Sequence, residues 1–148
     1  SVLPVLVGTA WAAAAHNEFD GLLFALAMIA TVLAHAATNV YNDVADDANG
    51  TDPANVLRIY PYTGGSRFIQ NGVLSRDTMA RLALGLGLAA LAIGVWMTFL
   101  RGPGVMVLGL LGLAIGYLYS TPGLALSGRG VGELAVAVGL GALPALGA

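Results

Sequence analysis

Five stretches with almost no charge, at roughly 1–15, 21–46, 79–100, 103–120 and 131–148, constrain the fold more than any other feature of this sequence. A helix needs about 20 apolar residues, at about 1.5 Å of rise each, to cross roughly 30 Å of hydrocarbon. Four of the runs come near that length, and the first reads as the tail of a helix. With 57% hydrophobic and only 9% charged residues, and a mean hydropathy of +0.81, the chain has no soluble surface to offer. The expectation is an all-α, polytopic transmembrane helix bundle, with residues 1–148 forming part of a single domain. Both ends fall inside apolar sequence, so the chain is expected to be a portion of a longer one.

The connections between the runs are unequal. "HNEFD" at 16–20 and "RGPG" at 101–104 are tight turns, whereas roughly 48–77 is a long polar stretch rich in Gly, Pro, Asn and Asp, and long loops of this kind usually carry function. Threading the chain back and forth places the long loop and the "STPGLALSGRG" turn at one end of the bundle and the tight turns at the other. Arg58, Arg67, Arg76, Arg81 and Arg129 then share the first end, against Arg101 alone at the second. By the positive-inside rule the first end is cytoplasmic, in a cell (inner) membrane. A net charge of −2 without any lysine leaves no polybasic patch for nucleic acid, and the absence of cysteine excludes disulfides, thiolate metal sites and cysteine nucleophiles. Glycines inside the runs, including the Gly112/Gly116 pair at GxxxG spacing, read as close helix packing.

Against this oily background, "NVYNDVADD" at 39–47 gathers three of the eight acidic residues, Asp43, Asp46 and Asp47. Positions four apart on a helix share a face, so Asn39, Asp43 and Asp47 form one stripe, which His35 and Thr31 extend toward the bilayer. Such polar seams line cavities. Stacked carboxylates repel, and at a helix C-terminus the dipole disfavours them further. A compensating cation is required: Mg²⁺, which takes oxygen ligands and keeps positions open for phosphate and water, or the arginines of the following loop. The plainer alternative is that the aspartates mark where a helix leaves the membrane.

The run from Asn39 to Asp47, followed by "NGTD" and "TGGSRFIQNGVLSRD", resembles the first signature of the UbiA superfamily of intramembrane aromatic prenyltransferases. "PVLVGTA", "YLYSTPGLAL" and "GRGVGELAVAVGLGALPALG" carry the likeness along the whole chain, and most closely to the menaquinone-pathway branch, which prenylates 1,4-dihydroxy-2-naphthoate. The resemblance implies a bundle of about nine helices, of which about five are here. Two aspartate-rich motifs would together hold Mg²⁺ and a prenyl diphosphate at the cytoplasmic end of a central cavity. The second motif is expected beyond Ala148, so the isolated chain is expected to be inactive. The partners implied are prenyl diphosphate, an aromatic acceptor and the lipid bilayer.

Roles follow residue by residue. Asp43 and Asp47 would hold the metal, with Asp46 as a supporting ligand or facing solvent, and Asn39 would orient a carboxylate or bind the phosphate. Arg67 follows Gly64, Gly65 and Ser66, where the backbone can turn sharply and the guanidinium fork onto phosphate oxygens. With Gln70 and Asn71 it matches the family pattern; Arg58 is a further phosphate candidate. Tyr119, near the end of the fourth run, would stabilise allylic cation character or belong to an interfacial aromatic belt. His35 is either a polar residue satisfied by its neighbours or a base near the acceptor, and Arg129 and Glu133 are spaced to pair with each other. The competing classes are a UbiA-type enzyme with another acceptor such as 4-hydroxybenzoate, an ion or proton-coupled transporter, whose acids would sit nearer the bilayer midplane, and a nonenzymatic interaction module.

Overall fold

The computed structural model describes residues 2–148 apart from 18, 55, 56, 58, 60–64, 122 and 125, with the backbone alone at 52 and 53. Among these residues the regular structure is entirely helical. Helix α1, Val2–His16, ends at Asn17, whose left-handed φ of 53° turns the chain. Asp20 then caps α2, Gly21–Asn49, by accepting from the amides of Leu22 and Leu23, both at 3.0 Å. Gly50, at φ 84°, ends α2 in the left-handed conformation that glycine adopts without strain. One turn of helix, α3 (Thr51–Ala54), opens the long connection.

Ser75 caps α4, Arg76–Arg101, through the Thr78 amide at 3.2 Å. Gly102, at φ 91°, breaks that helix, and Pro103 starts α5, Pro103–Ser120, at the position where a missing N–H costs nothing. A short 3₁₀ turn, Leu126–Gly128, leads to α6, Gly132–Leu146. The middle of α6, Ala137–Ala142, is wound as a π-helix. Pro144 supplies the reason: it has no N–H to donate, and its ring crowds the carbonyl four residues earlier.

The five expected helices are therefore present, with two boundaries moved. The second run continues helical to Asn49 rather than 46, so the whole aspartate cluster lies on the helix, and the third begins at Arg76 rather than 79. Helices α2, α4 and α5 are long and apolar enough to cross a membrane; α1 and α6 are apolar but shorter. Large apolar side chains such as Trp11 (76% exposed) and Phe99 (84% exposed) point outward, as lipid-facing residues do. At 29 residues α2 is roughly 43 Å long by its rise, against roughly 30 Å of hydrocarbon. That length leaves enough helix for its last turns, which carry the aspartates, to extend past the apolar layer.

Helix α2 packs most extensively on α4 and also touches α1, α3 and α5. A small core of Val5, Leu26, Ala27 and Met97 ties α1, α2 and α4 together. The glycine expectation divides: a Cβ on Gly116 would lie 2.3 Å from Thr38 Cγ2, so α5 approaches α2 there as only glycine allows, whereas Gly112 has ordinary room at 3.9 Å from Leu143. The topology is as threaded. The C-terminal ends of α2 and α5 meet the start of α4 at one end of the bundle, and His16, Asp20 and Arg101 line a cleft at the other.

Candidate functional site

Asp43 and Asp47, one helical turn apart, are both gripped by the connection that returns from α2 to α4. The Ser66 hydroxyl donates to Asp43 Oδ2 at 2.5 Å and the Ser66 amide approaches the same oxygen at 3.4 Å. Asp47 accepts from Gln70 Nε2 at 3.1 Å on Oδ1, and on Oδ2 from Arg76, through Nε at 2.7 Å and Nη2 at 2.5 Å. Residues 66–76 thus fold over the aspartate stripe in a compact turn closed by Asn71 N–H to Arg67 O (2.9 Å) and Val73 N–H to Phe68 O (2.9 Å). Gly65 turns the chain at φ 62°, as the glycine pair predicts, and Gly72 does so again at φ 70°. Arg67 itself is left-handed at φ 57°, a conformation that costs a non-glycine residue about 1–2 kcal/mol and persists only where surrounding contacts impose it.

The other predicted residues fall at different distances from this centre. Asp46 turns toward the amides of Asn42 and Asn49 instead of joining Asp43 and Asp47, and among the described residues no three acidic or histidine side chains converge as a metal-holding group. Asn39 is exposed one turn below Asp43, and Asn71 is exposed on the turn. Arg58 lies outside the described residues. Tyr119 is half-buried, and among the described residues no hydrogen bond or ring contact engages it. Tyr117 is instead the aromatic residue at this end with a structural partner: its ring stacks on Tyr41, centroids 5.8 Å apart and planes 19° from parallel. Arg129 donates to the Gly123 carbonyl at 2.5 Å, and among the described residues it makes no ion pair with Glu133, contrary to the spacing argument.

Five participants were not singled out from the sequence as site residues. Ser66 was read only as part of the turn before Arg67, Arg76 was counted only among the loop arginines, and Tyr41, Asn42 and Ser120 were passed over. Tyr41 hydrogen-bonds Thr121 Oγ1 at 3.0 Å, and Asn42 donates to Ser120 at 3.0 Å, where Ser120 is 2% exposed. These bonds lock the end of α2 to the end of α5. The available signal was that Tyr41 and Asn42 flank the aspartate stripe on the neighbouring helix face, where an adjacent helix must supply partners.

Below the aspartates, α2, α4, α5 and α6 line a partly open cavity of about 160 Å³. Its walls are apolar apart from Thr31, His35 and Thr38, all on α2, so the seam expected from the spacing does line a cavity. His35 Nδ1 is buried there without a hydrogen-bond partner among the described residues, against the expectation that its neighbours satisfy it. An unmet buried polar atom costs about 1–3 kcal/mol.

The profile of the UbiA prenyltransferase family matches residues 1–148. The chain belongs to the UbiA prenyltransferase family. It is 30% identical over 143 residues to a 1,4-dihydroxy-2-naphthoate octaprenyltransferase of Bacillus subtilis, covering 97% of this chain and 44% of that protein. It is also 30% identical over 145 residues to a 2-carboxy-1,4-naphthoquinone phytyltransferase of Synechocystis sp., with the same coverages of 97% and 44%. The chain thus spans less than half the length of these UbiA-family relatives. No solved structure matches it.

Toward a hard divalent cation, Asp43 Oδ1 is the one carboxylate oxygen of the Asp43/Asp47 pair without a protein donor among the described residues; both Asp47 oxygens accept from Gln70 and Arg76, so Asp47 would serve as a ligand only after Arg76 moves off it. The remaining coordination positions would fall to phosphate oxygens and water.

Proposed function

We propose that the chain supplies the diphosphate-binding end of a membrane-embedded, Mg²⁺-dependent prenyltransferase. The reaction moves a polyprenyl group from prenyl diphosphate to an aromatic acceptor, 1,4-dihydroxy-2-naphthoate, on the way to menaquinone. The observation that carries this reading is the gathering of Asp43 and Asp47 under an arginine-bearing turn at one end of an apolar cavity. An anionic headgroup suits the polar end, and the apolar lining of the cavity suits part of an isoprenoid chain. A transporter would hold its acids nearer the bilayer midplane. The acceptor assignment draws on the printed activity of the Bacillus subtilis relative. The arginine excess at the aspartate end supports a cytoplasmic location for that end.

Asp43 and Asp47 hold Mg²⁺ in this scheme, and Asn39 orients the carboxylate side of the site. The metal, when bound, neutralises charge on the departing diphosphate oxygens. Arg67, Gln70 and Asn71 bind the diphosphate from the turn above, with Arg58 as a further ligand. The allylic C–O bond breaks with its electron pair going to the diphosphate, a C–C bond to the acceptor ring forms, and the attacked ring carbon gives up the group it carried, a proton or, at the carboxyl-bearing carbon, CO₂, to restore aromaticity, while Tyr119 faces the developing allylic charge. Helix walls exclude water that would otherwise capture that carbon.

In membranes carrying the complete protein, Asp43→Asn and Asp47→Asn are each expected to lower transfer by at least about 100-fold. Full activity in either would remove the metal assignment. Chelation should abolish transfer and added Mg²⁺ restore it. Offered dihydroxynaphthoate, 4-hydroxybenzoate and homogentisate in parallel, the enzyme should prenylate the naphthoate; product from the benzoate alone would overturn the acceptor choice.

A further inference from the structure

We infer that His35 is the residue that positions the aromatic acceptor, by hydrogen-bonding a ring hydroxyl inside the cavity below the aspartates. The inference rests on the prenyltransferase reading and adds to it a residue and a contact. Three observations converge on it. His35 Nδ1 is buried, has no partner among the described residues, and belongs to a side chain that lines the cavity. Of the two threonines that share the cavity lining with it on α2, Thr38 donates its hydroxyl to the His35 backbone carbonyl at 2.9 Å, and Thr31, one turn away, makes no hydrogen bond to the ring among the described residues. The other three walls bring only Ala, Gly, Leu, Met, Val and Pro to the cavity, so among the described residues they offer the imidazole no hydrogen-bond partner.

A buried polar atom in such surroundings is matched by what enters the cavity. An isoprenoid chain offers no hydrogen bond, and the acceptor's carboxylate belongs toward the polar, arginine-bearing end, since it would be left charged among apolar walls. A phenolic hydroxyl on a flat apolar ring fits both the nitrogen and the walls. The distance also agrees: His35 lies two turns below Asp43, about 12 Å along the helix axis, which leaves the diphosphate and the allylic carbon between them and brings a hydroxyl beside the reacting ring carbon toward the imidazole.

The test measures, for the complete protein in membranes, KM for the prenyl diphosphate, KM for 1,4-dihydroxy-2-naphthoate, and the inhibition constant of 1-hydroxy-2-naphthoate, which lacks one hydroxyl. Wild type should bind the dihydroxy compound more tightly. His35→Leu should raise the acceptor KM by about tenfold, leave the donor KM within about twofold, and bind the two naphthoates alike. His35→Gln, which keeps a hydrogen-bonding group, should recover part of the preference. If His35→Leu does not accumulate, His35→Met fills the space with a flexible apolar side chain and answers the same question. Equal binding of the two naphthoates by wild type, an unchanged preference in the apolar variant, or a parallel rise in both KM values would overturn the assignment while leaving the prenyltransferase reading intact. Absence of any prenyl transfer by wild type would remove both.

Discussion

Asp47 and Arg76 each occupy the helix end that the backbone dipole penalises: the carboxylate sits in the last turn of α2 and the guanidinium opens α4. They offset one another as an ion pair in which Asp47 is 11% and Arg76 54% exposed. The pairing explains how α2 tolerates its acids when no ligand is bound, and it makes a prediction. Arg76→Ala should lower the thermal midpoint in detergent, whereas Asp46→Ala, which removes a carboxylate turned toward Asn42 and Asn49, should leave transfer activity within about threefold of wild type. Loss of transfer in Asp46→Ala to the level of Asp47→Asn would show that Asp46 acts as a ligand. At this scale the stripe of Asn39, Asp43 and Asp47 was legible because helical period alone sets it. Ser66 and Arg76, 23 and 29 residues from their partners, were not, because nothing local fixes where a returning chain crosses.

Among elements, the approach of α5 to α2 turns on a single missing methyl. Gly116 faces Thr38 so closely that a Cβ would lie 2.3 Å from Thr38 Cγ2. Gly116→Ala must push the helices apart or twist Thr38, at about 1–3 kcal/mol. It should also loosen the nearby bonds of Tyr41 to Thr121 and Asn42 to Ser120. The expected outcome is a lower unfolding midpoint for Gly116→Ala, largely restored by adding Thr38→Ser, which removes the obstructing methyl. A double variant no more stable than the single would place the constraint elsewhere. GxxxG spacing identified both glycines equally; only the packing distinguished the tight one from Gly112.

For the whole molecule, the two ends of the bundle differ in kind. One holds the aspartates, Arg67, Arg76 and the turn between them; the other holds His16, Asp20 and Arg101. Because the sequence has no cysteine, sidedness can be read directly. Val73→Cys, in the turn above the aspartates, should react with an impermeant maleimide only from the cytoplasmic side of sealed membranes, and His16→Cys only from the opposite side. The reverse pattern would invert the proposed orientation.

Hydropathy and glycine or proline punctuation were enough to determine a helical membrane chain of five segments and the polar stripe along its second helix. Both are consequences of spacing along the backbone, and a repeat of about 3.6 residues converts spacing into a face without help from neighbours. Tertiary structure alone decided which loop donors close over Asp43 and Asp47, that Tyr117 rather than Tyr119 finds an aromatic partner, and that the helices facing His35 bring only apolar walls to it. Those outcomes depend on which surfaces α4, α5 and α6 present to α2, and contacts between distant segments are set by the sum of packing across all of them.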